Sequence, residues 1–307
     1  MRRLLALLCC AGCFGLALLL PAAAAAQTAA APDVPELPLP TIPPTLRQPA
    51  LRAAYLIEHF WDAMDFSDTA RTRNRDFVEQ HLVNFLSLFP HADPASHAPA
   101  VANLMQRAAC NPEAYRLLAE LAEKYLFETD SPLFAEETYL LFLEQIVASP
   151  AMGPYEVLRP QYQLEALRKN RPGMVAADFA YVTRDGEPAT LHRTESGDRL
   201  LLIFYDATCA HCQEVMAELR SEPQLTQAVD SGRLEVLAIC VDADREALLQ
   251  SSADLPGTWM TGFEEGGIYE NELYMLRSMP TLLLLDGAKR VLLKNLTPGQ
   301  LLQTMAE

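Results

Sequence analysis

Six apolar residues in a row, Leu200-Leu201-Leu202-Ile203-Phe204-Tyr205, are followed almost at once by Cys209-Ala210-His211-Cys212. The cysteine pair opens a stretch that reads as helix to Arg220. A short apolar run of this kind is a buried strand. A strand that ends where a helix begins sets the first cysteine at the helix N-terminus, among free N–H groups and a partial positive charge. A thiolate is stabilised there, so Cys209 is expected to have a lowered pKa and to be the attacking nucleophile. The spacing places Cys212 one turn further in, within reach of the Cys209 sulfur, where it can resolve a mixed disulfide. His211 adds partial positive charge beside the pair, which favours thiolate and makes the disulfide more oxidising.

Such a pair has two other uses. A Cys-x-x-Cys can be half of a zinc site, but the second pair is missing, since Cys110 and Cys240 stand alone. It can also be a structural bridge. The strand-to-helix context, together with a secretory address, favours redox chemistry. Cys240 falls mid-strand, where cysteine behaves as a small buried hydrophobe, and Cys110 ends a helix.

The surroundings of the pair alternate. Leu234 to Val241 and Thr281 to Leu285 read as strands, and Asp286-Gly287 reads as a hairpin turn into Arg290 to Lys294. Asp244 to Ser251, Tyr269 to Arg277 and a last helix capped by Thr297-Pro298 fill the intervals. Strands alternating with helices predict a central, mostly parallel sheet with helices on its faces. Trp259 and Phe263 border a glycine-rich stretch (Gly262, Gly266, Gly267) that reads as a loop, with the neighbourhood of the active site as its candidate position.

Residues 50–170 have a different character. Tyr115, Leu118, Leu121, Ala122 and Tyr125 recur at helical steps, and Asn111-Pro112-Glu113 and Asp93-Pro94 look like helix starts. Leu51 to Met64, Asp76 to Phe89, Ala98 to Ala109 and Phe134 to Val147 read as further helices. Glycine occurs here only at Gly153. The expectation is an all-α domain of five or six helices. His91, Asp93 and His97 lie in a Pro/Ala-rich connection that reads as a solvated loop before a metal site. His59, Trp61 and Asp65 read as domain packing.

Ahead of these parts stands an address. Met1-Arg2-Arg3 supplies charge, Leu4 to Leu20 is unbroken apolar sequence, and Ala22 to Ala26 supplies small residues. This reads as a secretory signal over 1–26. An uncleaved membrane anchor, or a lipid on Cys13 through an imperfect lipobox at Cys10-Ala11-Gly12-Cys13, are the alternatives. Residues 27–49 hold seven of the 22 prolines and read as a semi-rigid spacer. Formal charge is −16. A surface so acidic repels phosphate backbones, which excludes nucleic acid as the expected partner.

Taken together, residues 172–307 resemble the thioredoxin-like superfamily. The resemblance rests on the lead-in Gly173-Met174-Val175-Ala176-Ala177-Asp178-Phe179, on the strand into Cys209-Ala210-His211-Cys212, and on Ser278-Met279-Pro280-Thr281 before a strand. It implies an α/β thioredoxin-like fold, a central mixed sheet with flanking helices. It also implies that Pro280 is cis and packs against the cysteine pair, and that Met279 offers backbone hydrogen bonds to a substrate peptide. The lead-in and Leu273 to Lys294 are similar to the envelope reductase (TlpA-like) branch, whereas Ala210-His211 is nearer the oxidase and isomerase branches. Thr208 stands where many relatives have Trp, and Ile203 where thioredoxin has a buried Asp; Glu214 and Asp206 are the candidate substitutes for that acid. The front half resembles a helical domain of unknown function that precedes thioredoxin-like domains in Bacteroidetes-type envelope proteins. That likeness rests on Tyr55, His59-Phe60-Trp61-Asp62, Asp65-Phe66-Ser67-Asp68, Glu123-Lys124-Tyr125-Leu126 and Ser131-Pro132.

The resulting expectation is a signal over 1–26, a Pro-rich linker over 27–49, an all-α domain over 50–170 and a thioredoxin-like domain over 171–307. Its implied function is thiol–disulfide exchange on envelope proteins, with Cys209, Cys212 and His211 as catalytic residues, Met279 and Pro280 at the substrate, and an unidentified upstream redox partner. No metal or organic cofactor is implied beyond the Cys209–Cys212 disulfide. The competing reading is a non-catalytic binding or redox-sensing module on the same fold.

Overall fold

The computed structural model describes residues 36–241, 245–264 and 266–306. The signal, the Cys13 alternative and the first part of the proline-rich segment lie outside the described residues. The rest of that segment touches the fold. Leu37 is buried, and its N–H donates to His81 Nε2 at 2.9 Å.

Helices come first, as α1 (Pro49–His59), α2 (Thr69–Thr72), α3 (Arg75–Leu86), α4 (His97–Ala108), α5 (Pro112–Leu126), α6 (Glu136–Ala148) and α7 (Leu158–Leu167). Their starts follow local chemistry. Asn74 caps α3 by accepting from the Phe77 N–H, and Asn111 caps α5 by accepting from the N–H groups of Glu113 and Ala114. Asn111 also donates to Phe66 O and Thr72 Oγ1, so one side chain starts a helix and ties down a distant turn. Trp61, Phe60, Phe85 and Phe89 form an aromatic cluster with centroids 5.0–6.0 Å apart. The His91–His97 connection is occupied by local bonds: Asp93 caps Ala95, and His97 Nε2 lies 3.0 Å from Phe89 O.

The second part runs β1 (Ala180–Thr183), β2 (Pro188–Thr190), β3 (Arg199–Tyr205), α8 (Ala210–Ser221), α9 (Pro223–Asp230), β4 (Leu234–Cys240), α10 (Arg245–Ser251), β5 (Met260–Phe263), α11 (Gly267–Glu270), β6 (Thr281–Asp286), β7 (Val291–Lys294) and α12 (Pro298–Ala306). One sheet has the order β2-β1-β5-β4-β3-β6-β7. It is mixed, as the thioredoxin resemblance implies, and not mostly parallel as the strand–helix alternation alone predicts. Only β3 with β4 and β4 with β5 pair in parallel; β1–β2, β1–β5, β3–β6 and β6–β7 are antiparallel. The β1–β2 and β6–β7 pairs are hairpins, where no crossover helix is needed.

Two further expectations are corrected. The glycine-rich stretch after Trp259 is in part strand β5. A Cβ on Gly262 would lie 2.5 Å from Tyr181 Cδ2, so the glycine there allows β1 to approach. Of the expected 269–277 helix only Tyr269 and Glu270 are helical, as the end of α11 (Gly267–Glu270); the chain from Asn271 to Pro280 is irregular.

That irregular segment is where the helices and the sheet meet. Asn170 donates to Leu273 O at 2.8 Å and accepts from the Ala177 N–H, while Lys169 donates to Glu272 O. Arg277 lies 3.3 Å over the Phe127 ring, donates to Phe127 O and pairs with Glu128 at 3.5 Å. Lys294 of β7 pairs with Glu136, whose side chain is only 7% exposed at the start of α6. Glu136 is stabilised there by the helix N-terminus as well.

Removing one member of that pair leaves an uncompensated buried charge. Lys294→Met is therefore expected to lower stability by about 3 kcal/mol, and Lys294→Met with Glu136→Leu to recover most of it. Urea unfolding of both variants measures this; a loss below about 0.5 kcal/mol in the single variant would show that the pair is solvated.

Candidate active site

Every residue of β3 after Arg199 is buried, because this strand is flanked on both edges and covered on both faces. It delivers Tyr205 to the carboxyl end of the sheet, the end at which open α/β sheets place their ligands. Asp206 makes the turn. Its Oδ1 accepts from the Thr208 N–H at 2.7 Å and from Thr208 Oγ1 at 2.8 Å, and its carbonyl accepts from the Cys209 N–H. Thr208 thus has a local job at the position where Trp was the reference.

Cys209 is the N-cap of α8. Its Sγ accepts the Cys212 N–H at 3.3 Å and lies 3.9 Å from the carbonyl oxygen of Met279. Both cysteines are free thiols. Cys209 is partly exposed, whereas Cys212 is 1% exposed and packs in the core between α8 and the sheet. Burial pushes the Cys212 thiol up to about 12. The Asp206 backbone N–H offsets part of this, while the Cys209 sulfur and the Asp206 carboxylate add to it. The Met279-Pro280 peptide bond is cis.

His211 points outward from the first turn of α8, with Nδ1 3.7 Å from Glu214 Oε2 and both side chains largely exposed. Of the two candidate acids, Asp206 is the one placed beside Cys212; Glu214 faces His211. Cys240 is fully buried at the end of β4, where burial raises its thiol as well, and Cys110 is exposed, far along the chain in the helices. No cluster of three or more metal-ligating side chains occurs among the described residues.

A cleft of about 640 Å³ adjoins the pair. It is lined by His211 and Glu218 of α8, by Pro280 and Leu296, and by residues of the 129–134 loop between α5 and α6. The loop's part was missed in the sequence. Ser131-Pro132 stood out there only as a likeness. A second cavity of about 550 Å³ lies by Arg199 and Arg233, at the opposite end of β3.

A thioredoxin-like protein from Bacteroides caccae superposes with a TM-score of 0.83 at 30% identity, covering 89% of this chain and 99% of its own. Residues 21–170 match the family described as a domain of unknown function, DUF5106. A conserved protein of unknown function from Bacteroides fragilis is 36% identical over 44% of this chain and 98% of its own, with a TM-score of 0.42. The thioredoxin domain of a thiol-disulfide oxidoreductase from Bacteroides vulgatus is 19% identical over 44% of this chain and 96% of its own, with a TM-score of 0.39. No curated protein matches the chain. The chain belongs to the thioredoxin-like family, in the arrangement that carries a helical domain ahead of the thioredoxin fold.

The asymmetry between the two thiols gives a direct test. At about pH 8, iodoacetamide is expected to label Cys209 and the exposed Cys110 in the reduced protein and to leave Cys212 and Cys240 untouched. Peptide mass mapping reads the outcome; labelling of Cys212 as fast as Cys209 would contradict the burial described above.

Proposed function

We propose that this protein is an envelope thiol–disulfide oxidoreductase acting on protein disulfides. The observation that carries the reading is the placement of two unlike thiols: Cys209 at the mouth of α8 beside the Met279 carbonyl, Cys212 buried one turn behind it. In the reductive direction Cys209 attacks as its thiolate, with the Cys212 N–H donating to the sulfur. A Cys209–substrate disulfide forms, and the other substrate sulfur leaves as a thiolate that takes up a proton. Cys212 then loses its proton and attacks the Cys209 sulfur. The Cys209–Cys212 disulfide forms, the second substrate thiol leaves, and two electrons have passed to the substrate. The reverse sequence oxidises a dithiol.

His211 tunes the pair from the exposed side of the turn, and Met279 with Pro280 shapes the substrate's path to Cys209. The cycle uses no metal or organic cofactor, because the two thiols carry both electrons; an upstream redox partner resets them. The charged, apolar and small-residue runs of residues 1–26 support export to the periplasm of a Gram-negative cell, with lipidation or an anchor as the other ways of reaching the envelope. Among the described residues no helix is long and apolar enough to cross a membrane.

The test is a glutathione or dithiothreitol titration of the mature protein, with Cys212→Ser as control. Wild type is expected to show one reversible two-electron couple, and Cys212→Ser to accumulate a mixed disulfide with a substrate peptide that wild type releases. A potential near about −120 to −180 mV assigns oxidation or isomerisation, and one at or below about −270 mV assigns reduction. Absence of any reversible couple would sink the proposal in favour of a binding module.

A further inference from the structure

We infer that the 129–134 loop of the helical domain is a specificity-determining wall of the substrate cleft, and that the cleft takes an extended polypeptide whose cysteine is flanked by lysine or arginine. This rests on the exchange reading above. The cleft starts where exchange must happen. His211 sits between the two cysteines, and Pro280 follows the Met279 whose carbonyl faces Cys209 Sγ. A substrate chain that brings a sulfur to Cys209 and runs past Ser278 and Pro280 continues into this space. Its volume of about 640 Å³ lies within the ~300–1,000 Å³ range of sites that bury a ligand.

The far wall is built, and it belongs to the helical domain. Ser131 Oγ donates to Tyr125 O at 2.6 Å and accepts from the Leu133 N–H, and the Phe134 N–H donates to Ser131 O. The Ala135 N–H donates to Leu126 O, closing the loop on the end of α5. Arg277, three residues before Pro280, holds Phe127 and Glu128 at the foot of the same loop. The wall and the Pro280 turn are therefore fixed to each other, and a bound chain meets a preorganised groove.

Its charge selects the occupant. Among the described residues, the titratable groups lining the cleft are Asp130, Glu218 and His211, with no lysine or arginine. Phe134 and Leu296 supply apolar surface, half-buried before any ligand arrives. A basic residue next to the substrate cysteine meets Asp130 or Glu218, whereas an acidic one is repelled.

The test uses the full mature chain with dithiothreitol as terminal reductant. Two peptide disulfides are compared, identical except that lysines flank the cysteine in one and glutamates in the other. The uncharged small disulfide bis(2-hydroxyethyl) disulfide is run beside them. Wild type is expected to favour the lysine peptide about tenfold in kcat/KM at low ionic strength, through KM, with the preference shrinking as salt is raised. Asp130 is exposed, so Asp130→Lys leaves the fold intact; it is expected to cut the preference by about fivefold, again through KM with kcat unchanged. Equal kcat/KM for the two peptides, or a preference that Asp130→Lys does not move, overturns the inference while turnover of the small disulfide leaves the exchange reading standing. No turnover of the small disulfide by wild type ends both.

Discussion

The position of Cys209 depends on β3, which is buried at every residue after Arg199. A strand with β4 on one edge, β6 on the other and side chains packed on both faces cannot slide or fray at its carboxyl end. The turn at Asp206 then has a fixed origin, and the helix that follows begins where the strand dictates. One turn of helix separates a partly exposed sulfur from one that is 1% exposed. The chemical difference between the thiols thus comes from depth in one core, with no special ligand needed.

The second half of the site is positioned by a segment that has almost no regular structure. Between Asn271 and Pro280 the chain is held from outside itself: Asn170 and Lys169 bind its carbonyls, and Phe127 and Glu128 take Arg277. Met279 packs against the hydrophobic clusters on both faces of the sheet. The helical domain therefore contributes directly to where the Met279 carbonyl lies relative to Cys209. The turn at Met279 and Pro280 is anchored partly on residues that precede it by more than a hundred positions.

What could be read in the sequence was what local chemistry decides. β3, the cysteine pair and the Asn111 cap of α5 each depend on a few consecutive residues, and each stands where expected. The misses have non-local causes. Gly262 looks like loop until Tyr181 of β1 is seen 2.5 Å from where its Cβ would be. Residues 271–277 have helical spacing but are stretched by contacts to Asn170 and Phe127. The 129–134 loop is polar and proline-bearing, so nothing local distinguishes it from an ordinary connection; only the packing of α5 and α6 against the Pro280 turn brings it to the cleft.

In the exchange cycle proposed above, the environment of Cys212 also changes from step to step, in the direction that favours completion. In the dithiol, burial is the largest influence raising this thiol, and the Cys209 sulfur adds to it through hydrogen bonding and charge. Once Cys209 is bound to substrate, its sulfur carries neither a proton nor a charge. The contribution from Cys209 then disappears, while the Asp206 N–H that favours the thiolate remains. Cys212 is held protonated while Cys209 must attack and is released toward its thiolate when it must resolve. Ile203, six residues before Cys209 on β3, is fully buried and apolar and supplies no acid to the pair. In the proposed cycle, easing the proton off Cys212 therefore falls on the change at Cys209 and on the Asp206 backbone N–H, both products of the turn that ends β3.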